Sequence, residues 1–282
     1  MKFQRPPYTY IGQVNLKVMD LNRSLEFYKE IIGFQVLRQT EKFAELTADG
    51  KTVLLTIEQP AGIMPKQGRT TGLYHFALLL PSRSDLAQFV VHLSDNHIQI
   101  GSADHLVSEA LYLSDPDGNG IEVYRDRDPS EWTWSNGEVA MSTDPLDFRG
   151  LLAGVTERTW NGLPANTVMG HIHLHVSELE RAKEFYIDGL GFELILRFGG
   201  QALFIADGKY HHHIGLNTWN GVGAPRPADN SVGLQSFTVV YPSEEVRAQA
   251  VANLQKIGIV AAAENEEFSV ADPSGNRIRM LV

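Results

Sequence analysis

The chain has 282 residues, 43% of them hydrophobic, with a formal net charge of −10 and no cysteine. That length and apolar content allow a substantial core, organised as one large or two ordinary domains. The lack of cysteine excludes disulfides, thiolate catalysis and sulfur-ligated metals, and the acidic balance argues against a nucleic-acid partner, which needs cations to neutralise phosphates.

In chain order, the opening MKFQRPPYTY lacks the basic start and apolar core of a secretory signal, and no apolar run reaches the length of a membrane span. The expectation is a cytoplasmic protein with no membrane partner. From Gly12 the residues alternate: Val14, Leu16 and Val18 are apolar while Gln13, Asn15 and Lys17 are polar, the period of a strand with one buried face. Leu21, Leu25, Tyr28 and Ile32 follow at helical spacing, with Gly33 as a stop. Three strands are predicted around 35–40, 43–47 and 52–58, with a turn at Asp49-Gly50. A second unit starts at YHFALLLPSRSDLAQFVVHLSDNHIQI, from Tyr74, and closes through a DPxGN turn in LYLSDPDGNGIEVY. Residues 128–166 contain the Pro and Gly of a connector, with Leu151 and Leu152 in a short docking turn.

Beyond the connector both units recur. GQVNLKVMDLNRSLEFYKEIIGFQVL aligns without a gap to GHIHLHVSELERAKEFYIDGLGFELI at an offset of 158 residues (Gly12 to Gly170), and Ala48-Asp49-Gly50-Lys51 returns as Ala206-Asp207-Gly208-Lys209. The second unit returns from Gln235 and ends in FSVADPSGNRIRMLV. The predicted fold is therefore α+β, four β-α-β-β-β modules in two chain-order halves, 8–127 and 167–282. The third module departs from the first in its opening strand, where His171, His173 and His175 occupy alternate positions in a chain with 10 histidines.

Paired β-α-β-β-β modules ending in DPDGNGIE resemble the vicinal oxygen chelate superfamily, which includes glyoxalase I, bleomycin-resistance proteins and extradiol ring-cleaving dioxygenases. GLYHFALLLP, DHLVSEALYLSDPDGNGIEVY, GHIHLHVSELERAKEFY and YHHHIGLNTW together are similar to the bacterial catechol 2,3-dioxygenases of the two-domain glyoxalase-like type, over nearly the whole chain outside the connector. The resemblance implies two open barrels, each of paired modules, with a metal held on an inner face by first strands and by the strand after the GN turn. Gln13, His75, His171 and Ser236 occupy the first-strand position; Glu122 and Arg279 occupy the last-strand position of modules two and four. Of these, His75, Glu122 and His171 suit iron: two imidazoles and a carboxylate that leave coordination positions open. His75 and Glu122 belong to module two and His171 to module three, so the metal is expected between those modules, with one and four forming the other barrel. Pairing one with two instead would leave Gln13, His75 and Glu122, with Glu58.

Extradiol cleavage needs a base for the catechol proton and an acid for the later ring opening, and histidine suits both. The resemblance assigns this to His212, three positions before Gly215. Simple alternation places His213, not His212, on the side of Gly215, so His213 is the alternate and a local irregularity is expected. Tyr112, ten residues before Glu122, and His105 match residues that hydrogen-bond substrate oxygen. His173 reads as pocket wall and His175 as structural; Phe204, Trp219 and Tyr124 are pocket-wall or core aromatics; His92 and His97 are expected at the solvent surface.

The expected function is an Fe(II) extradiol dioxygenase, with Mn(II) fitting the same ligands, that opens catechol or a substituted catechol with dioxygen to a 2-hydroxymuconic semialdehyde. Its partners are then a small aromatic diol, dioxygen and, through exposed sheet edges, further copies of the chain as a homo-oligomer. The rival readings are a glyoxalase-type lyase, with Ni(II) or Zn(II) ringed by Gln13, Glu58, His75 and Glu122, and a non-catalytic small-molecule-binding member.

Overall fold

Alternating strands followed by a helix can bury their apolar faces only by sharing a core, and the four modules do this in two sheets. The computed structural model describes residues 2–153, 155, 159–264 and 267–282. Module one comprises β1 (Tyr10–Lys17), α1 (Leu21–Phe27), β2 (Gln35–Gln39), β3 (Phe43–Thr47) and β4 (Val53–Glu58). Module two comprises β5 (Gly72–Leu79), α2 (Arg83–Asp95), β6 (Gly101–Asp104), β7 (Ser108–Ser114) and β8 (Gly120–Asp126). The connector carries a small strand pair, β9 (Trp134–Ser135) and β10 (Glu138–Val139), and α3 (Phe148–Leu152). Module three has β11 (Val168–His175), α4 (Leu179–Lys183), β12 (Glu193–Phe198), β13 (Ala202–Ala206) and β14 (Ile214–Asn217). Module four has β15 (Gly233–Val240), α5 (Glu244–Lys256), β16 (Ala262–Glu264), β17 (Glu267–Ala271) and β18 (Arg277–Leu281).

The strands form two curled eight-stranded sheets, β16-β17-β18-β15-β1-β4-β3-β2 and β12-β13-β14-β11-β5-β8-β7-β6. Modules one and four thus share one sheet and modules two and three the other, each pair joined through antiparallel first strands, β1 with β15 and β11 with β5. One continuous core joins the sheets, with Val14, Leu16, Phe76, Ile172, Leu174 and Phe237 all buried in it. The chain-order halves are tied differently. Tyr28 of module one donates to Asp115 in the DPxGN turn of module two at 2.9 Å, and Tyr186 of module three does the same to Asp272 of module four at 3.0 Å.

Those tyrosines sit where the two equivalent helices change pitch. The helix expected over Leu21 to Ile32 is α-helical through Phe27 and then a π turn, Tyr28–Ile32; its copy ends in a π turn at Glu184–Gly189. The N–H groups of Gly33 and Phe34 both reach the Tyr28 carbonyl, at 3.1 and 3.0 Å, and Gly33 takes φ +93°. Wide turns of this kind are not encoded by a 3.6-residue apolar period.

The connector is packed, because its apolar residues outweigh its Pro and Gly. Trp132, Val139, Leu146, Leu151 and Leu163 are buried, and Asp144 bridges to Asp104 at the end of β6. Among the described residues no helix is long and apolar enough to cross a membrane.

Candidate metal centre

In a sheet, residues directly opposite one another share a face, so register alone shows which side chains can meet. Tyr112 on β7 is opposite Glu122 on β8, Glu122 is opposite Ala77 on β5, and Ala77 is opposite His171 on β11. His75 lies two residues before Ala77 on the same face. The alternate residues Phe76, Ile121 and Ile172 point into the core, leaving these polar groups on the other side. Ala77 in the middle of the row has only a methyl, so Glu122 and His171 can lean over it from either side.

They do so. Nε2 of His75 is 3.0 Å and Nε2 of His171 3.1 Å from Oε2 of Glu122, and the two nitrogens are 3.3 Å apart. An octahedral ion with bonds of about 2.1 Å has adjacent ligands about 3.0 Å apart. The triangle therefore has the dimensions of one face of such a shell, and all three residues are buried. Burial pushes the Glu122 carboxyl up, but the facing His171 and His75 nitrogens outweigh it and hold the group well below the usual carboxylate range. Burial lowers His171 to about 4 despite the nearby carboxylate, so its imidazole is neutral at pH 7 and able to ligate. Nδ1 of His171 has no partner among the described residues; its ring is oriented by Nε2 and by packing against Tyr124 and His212, at centroid distances of 4.9 and 4.0 Å. Neutral nitrogens and a carboxylate on one side of a point, with space opposite, suit a divalent ion with open positions.

The space opposite is a cavity of about 390 Å3, reached by His75, Glu122, Tyr112, His105, His173 and His212. Phe204, Phe198 and Trp219 contribute aromatic walls. His105 is 2.6 Å from the Ser142 carbonyl through Nδ1 and 2.6 Å from the Tyr112 hydroxyl through Nε2. A carbonyl only accepts, so Nδ1 carries the hydrogen and Nε2 accepts from Tyr112. Burial first, and then the charge of Glu122, raise Tyr112 well above its usual value and keep its hydroxyl protonated.

Of the two candidate acid–base histidines, His212 lines the cavity and His213 does not. Nε2 of His213 is 2.9 Å from the Phe3 carbonyl and its Nδ1 accepts from the Asp207 N–H at 3.2 Å, which makes it an anchor for the amino-terminal segment. Strand alternation misjudged this pair because β14 begins only at Ile214. His173 packs its ring on Gly215, where a Cβ would come within 2.7 Å of it, and forms cavity wall; His175 is held by Asn217 at 2.7 Å. Tyr124 is core, not wall, its hydroxyl 2.6 Å from that of Tyr210. His97 is exposed as expected, whereas His92 is half-buried, with Nε2 3.1 Å from the Glu30 and Ile31 carbonyls and its ring stacked on Trp160.

The other sheet carries the equivalent positions without the chemistry. Thr238 stands in the place of Ala77 and is opposite Arg279, which pairs with Glu267 at 2.6 Å. Gln13 bonds Asn15 and Thr56, each at 2.7 Å, and Asn15 bonds Ser236 at 2.9 Å. Gln13 and Glu58 thus lie in the sheet that lacks His75 and Glu122. Two groups escaped sequence reasoning: the connector residues Met141, Ser142 and Thr143, which form one cavity wall, and Asp126 with His211, behind His212. The apolar residues of the connector were the available signal for the first.

Comparison with known proteins agrees with this architecture. The profile of the Glyoxalase/Bleomycin resistance protein/Dioxygenase superfamily matches residues 10–123 and 168–280. The chain is 48% identical over 279 residues to the catechol-2,3-dioxygenase of Bacillus subtilis (strain 168), covering 97% of this chain and 98% of that one. It is 29% identical over 155 residues to biphenyl-2,3-diol 1,2-dioxygenase 3 of Rhodococcus globerulus, covering 50% of this chain and 82% of that one. Glyoxalase I from Zea mays shares the fold, with a TM-score of 0.59 at 15% identity over 96% of this chain and 92% of that one.

Proposed function

This chain belongs to the glyoxalase/bleomycin resistance protein/dioxygenase superfamily, and from that membership we propose that it is an Fe(II)-dependent extradiol dioxygenase. In this reading it opens catechol or a substituted catechol beside the diol, with dioxygen as co-substrate, to a 2-hydroxymuconic semialdehyde. The observation that carries the proposal is the 3.0–3.3 Å triangle of His75 Nε2, His171 Nε2 and Glu122 Oε2 at the base of an aromatic-walled cavity. The relative named as a catechol-2,3-dioxygenase supports the same reaction class.

His75, Glu122 and His171 would hold the metal, and Mn(II) would fit the same donors. When bound, Fe(II) supplies Lewis acidity toward the diol oxygens and electron exchange with dioxygen. The chain supplies the rest. Phe204 and Trp219 offer apolar faces for the aromatic ring and exclude water. His212, kept neutral by burial and by the neighbouring imidazoles, takes a hydroxyl proton from the diol and returns it later. Tyr112, held protonated beside His105, turns its hydroxyl hydrogen from His105 Nε2 to a substrate oxygen that gains negative charge.

The test is direct. Protein loaded with Fe(II) under anaerobic conditions and then mixed with catechol in aerated buffer takes up oxygen and forms a yellow product. Absence of both oxygen uptake and product with catechol and with its alkyl- and aryl-substituted forms would overturn the proposal.

A further inference from the structure

The bonds a histidine makes reveal which of its ring nitrogens carries the hydrogen, and behind His212 they run in one direction. His211 sets Nε2 2.8 Å from Asp126 Oδ1. A carboxylate only accepts, so that nitrogen carries the hydrogen, and in the neutral imidazole Nδ1 of His211 is then an acceptor. The Nδ1 atoms of His211 and His212 are 2.8 Å apart. One of the two must donate, and His211 has its hydrogen elsewhere. His212 therefore holds its hydrogen on Nδ1, which leaves Nε2 as a bare lone pair on a ring that lines the cavity.

The arrangement is built from four separate stretches of chain. Asp126 ends β8 of module two, and His211 precedes β14 of module three. Tyr210 donates to the same Asp126 oxygen at 3.3 Å and receives the Tyr124 hydroxyl at 2.6 Å. The Tyr210 ring lies 4.1 Å from that of His211 and Trp132 of the connector 5.3 Å from it, with Phe3 stacked on both covering rings. His211 is fully buried. Polar groups removed from water in this way keep their bonding direction firmly, since reversing it leaves the bare Nε2 of His211 facing a carboxylate, two acceptors with no hydrogen between them.

We propose that Asp126 and His211 are positioning residues for His212, holding it as the Nδ1–H tautomer with Nε2 free toward the substrate cavity. Only the use of that free nitrogen rests on the dioxygenase reading. A bare Nε2 can take a proton from a diol hydroxyl, so that an O–H bond breaks and an N–H bond forms, whereas the opposite tautomer has no lone pair to offer there. His211 and Asp126 never touch substrate; they act through His212.

The experiment pairs spectroscopy with kinetics. Long-range 1H–15N spectra of the metal-free protein report the ring tautomers, with His212 assigned by its loss in His212→Gln. The wild type is expected to show His212 hydrogen-bearing at Nδ1. His211→Phe, which removes the acceptor for Nδ1 of His212, and, should that variant not fold, Asp126→Asn, whose amide donates to His211 and reverses the chain, are expected to shift the hydrogen to Nε2. With iron loaded, the same variants keep full iron content and a KM for catechol within about twofold, while kcat falls about 10²-fold, the usual contribution of a proton-transfer group. Asp126→Glu recovers part of the rate. A wild-type His212 protonated at Nε2, or variants whose tautomer or kcat is unchanged, would overturn the proposal. A wild type that turns over no catechol would sink the dioxygenase reading instead, and the spectra would still decide the relay.

Discussion

Ala77 is the smallest side chain in the row Tyr112, Glu122, Ala77, His171, and the gap it leaves decides whether ligands from β8 and β11 can meet. Ala77→Leu should leave a folded protein, at a packing cost of about 1–3 kcal/mol, that no longer retains iron after desalting; full retention, measured by metal analysis, would contradict this account. Acid should weaken the metal-free fold through its buried imidazoles. Burial lowers His171 to about 4 and His213 to about 3 from the ordinary 6.5. Between those values the unfolded chain binds protons that the folded chain does not, so stability is intact above pH 6.5 and falls as pH drops toward 4. The slope is roughly 1 kcal/mol per pH unit for each such group, and melting curves from pH 7.5 to 4.5 measure it. His75, Glu122 and His171 could be named by laying the ligand positions that the family resemblance implies onto the repeat. Ala77 could not, since a small apolar residue in a strand carries no sequence signal of what its neighbours do.

Secondary-structure elements are held in place here by a few buried polar ties as well as by the core. Glu109 on β7 is 2% exposed and pairs with Arg83 at the start of α2 and Arg125 on β8, at 2.9 and 2.7 Å, while Arg83 also donates to the Gly150 carbonyl of α3 at 2.9 Å. Burial pushes the Glu109 carboxyl up, but the two guanidinium groups outweigh it and lower it below its ordinary 4.5. Its contribution is complete above about pH 4.5 and is lost as pH falls through the lower folded value. Glu109→Gln should cost about 2 kcal/mol at neutral pH, since it leaves Arg125 without its buried carboxylate while the more exposed Arg83 turns to water, and should flatten the acid dependence below pH 4.5. A denaturant midpoint unchanged from wild type would refute it. Strands and helices were readable from their periods of 2 and 3.6. The π turns at Tyr28–Ile32 and Glu184–Gly189 were not, because a wide turn leaves no mark in a 3.6-residue apolar period.

At the level of the whole molecule, the candidate site straddles the connector: β5 and β8 come from one chain-order half and β11 from the other. Halves 1–127 and 128–282 produced separately should each fail to bind Fe(II), and co-expression should restore binding; iron retained by either half alone would contradict the shared-sheet site. By itself the sequence determined the four modules, the faces their strands bury, and the positions where ligands can stand. The modules and their buried faces follow from local alternation and from a repeat that needs no knowledge of what lies opposite; the ligand positions follow from the family resemblance laid on that repeat. The candidate ligands made a joining of module two with module three the expectation over one with two, and the tertiary structure decided between them; only the tertiary structure showed that the connector walls the cavity and that Asp126 and His211 stand behind His212. Pairing depends on which buried edges close against each other across long loops, and alternation records only that a face is buried, not against what.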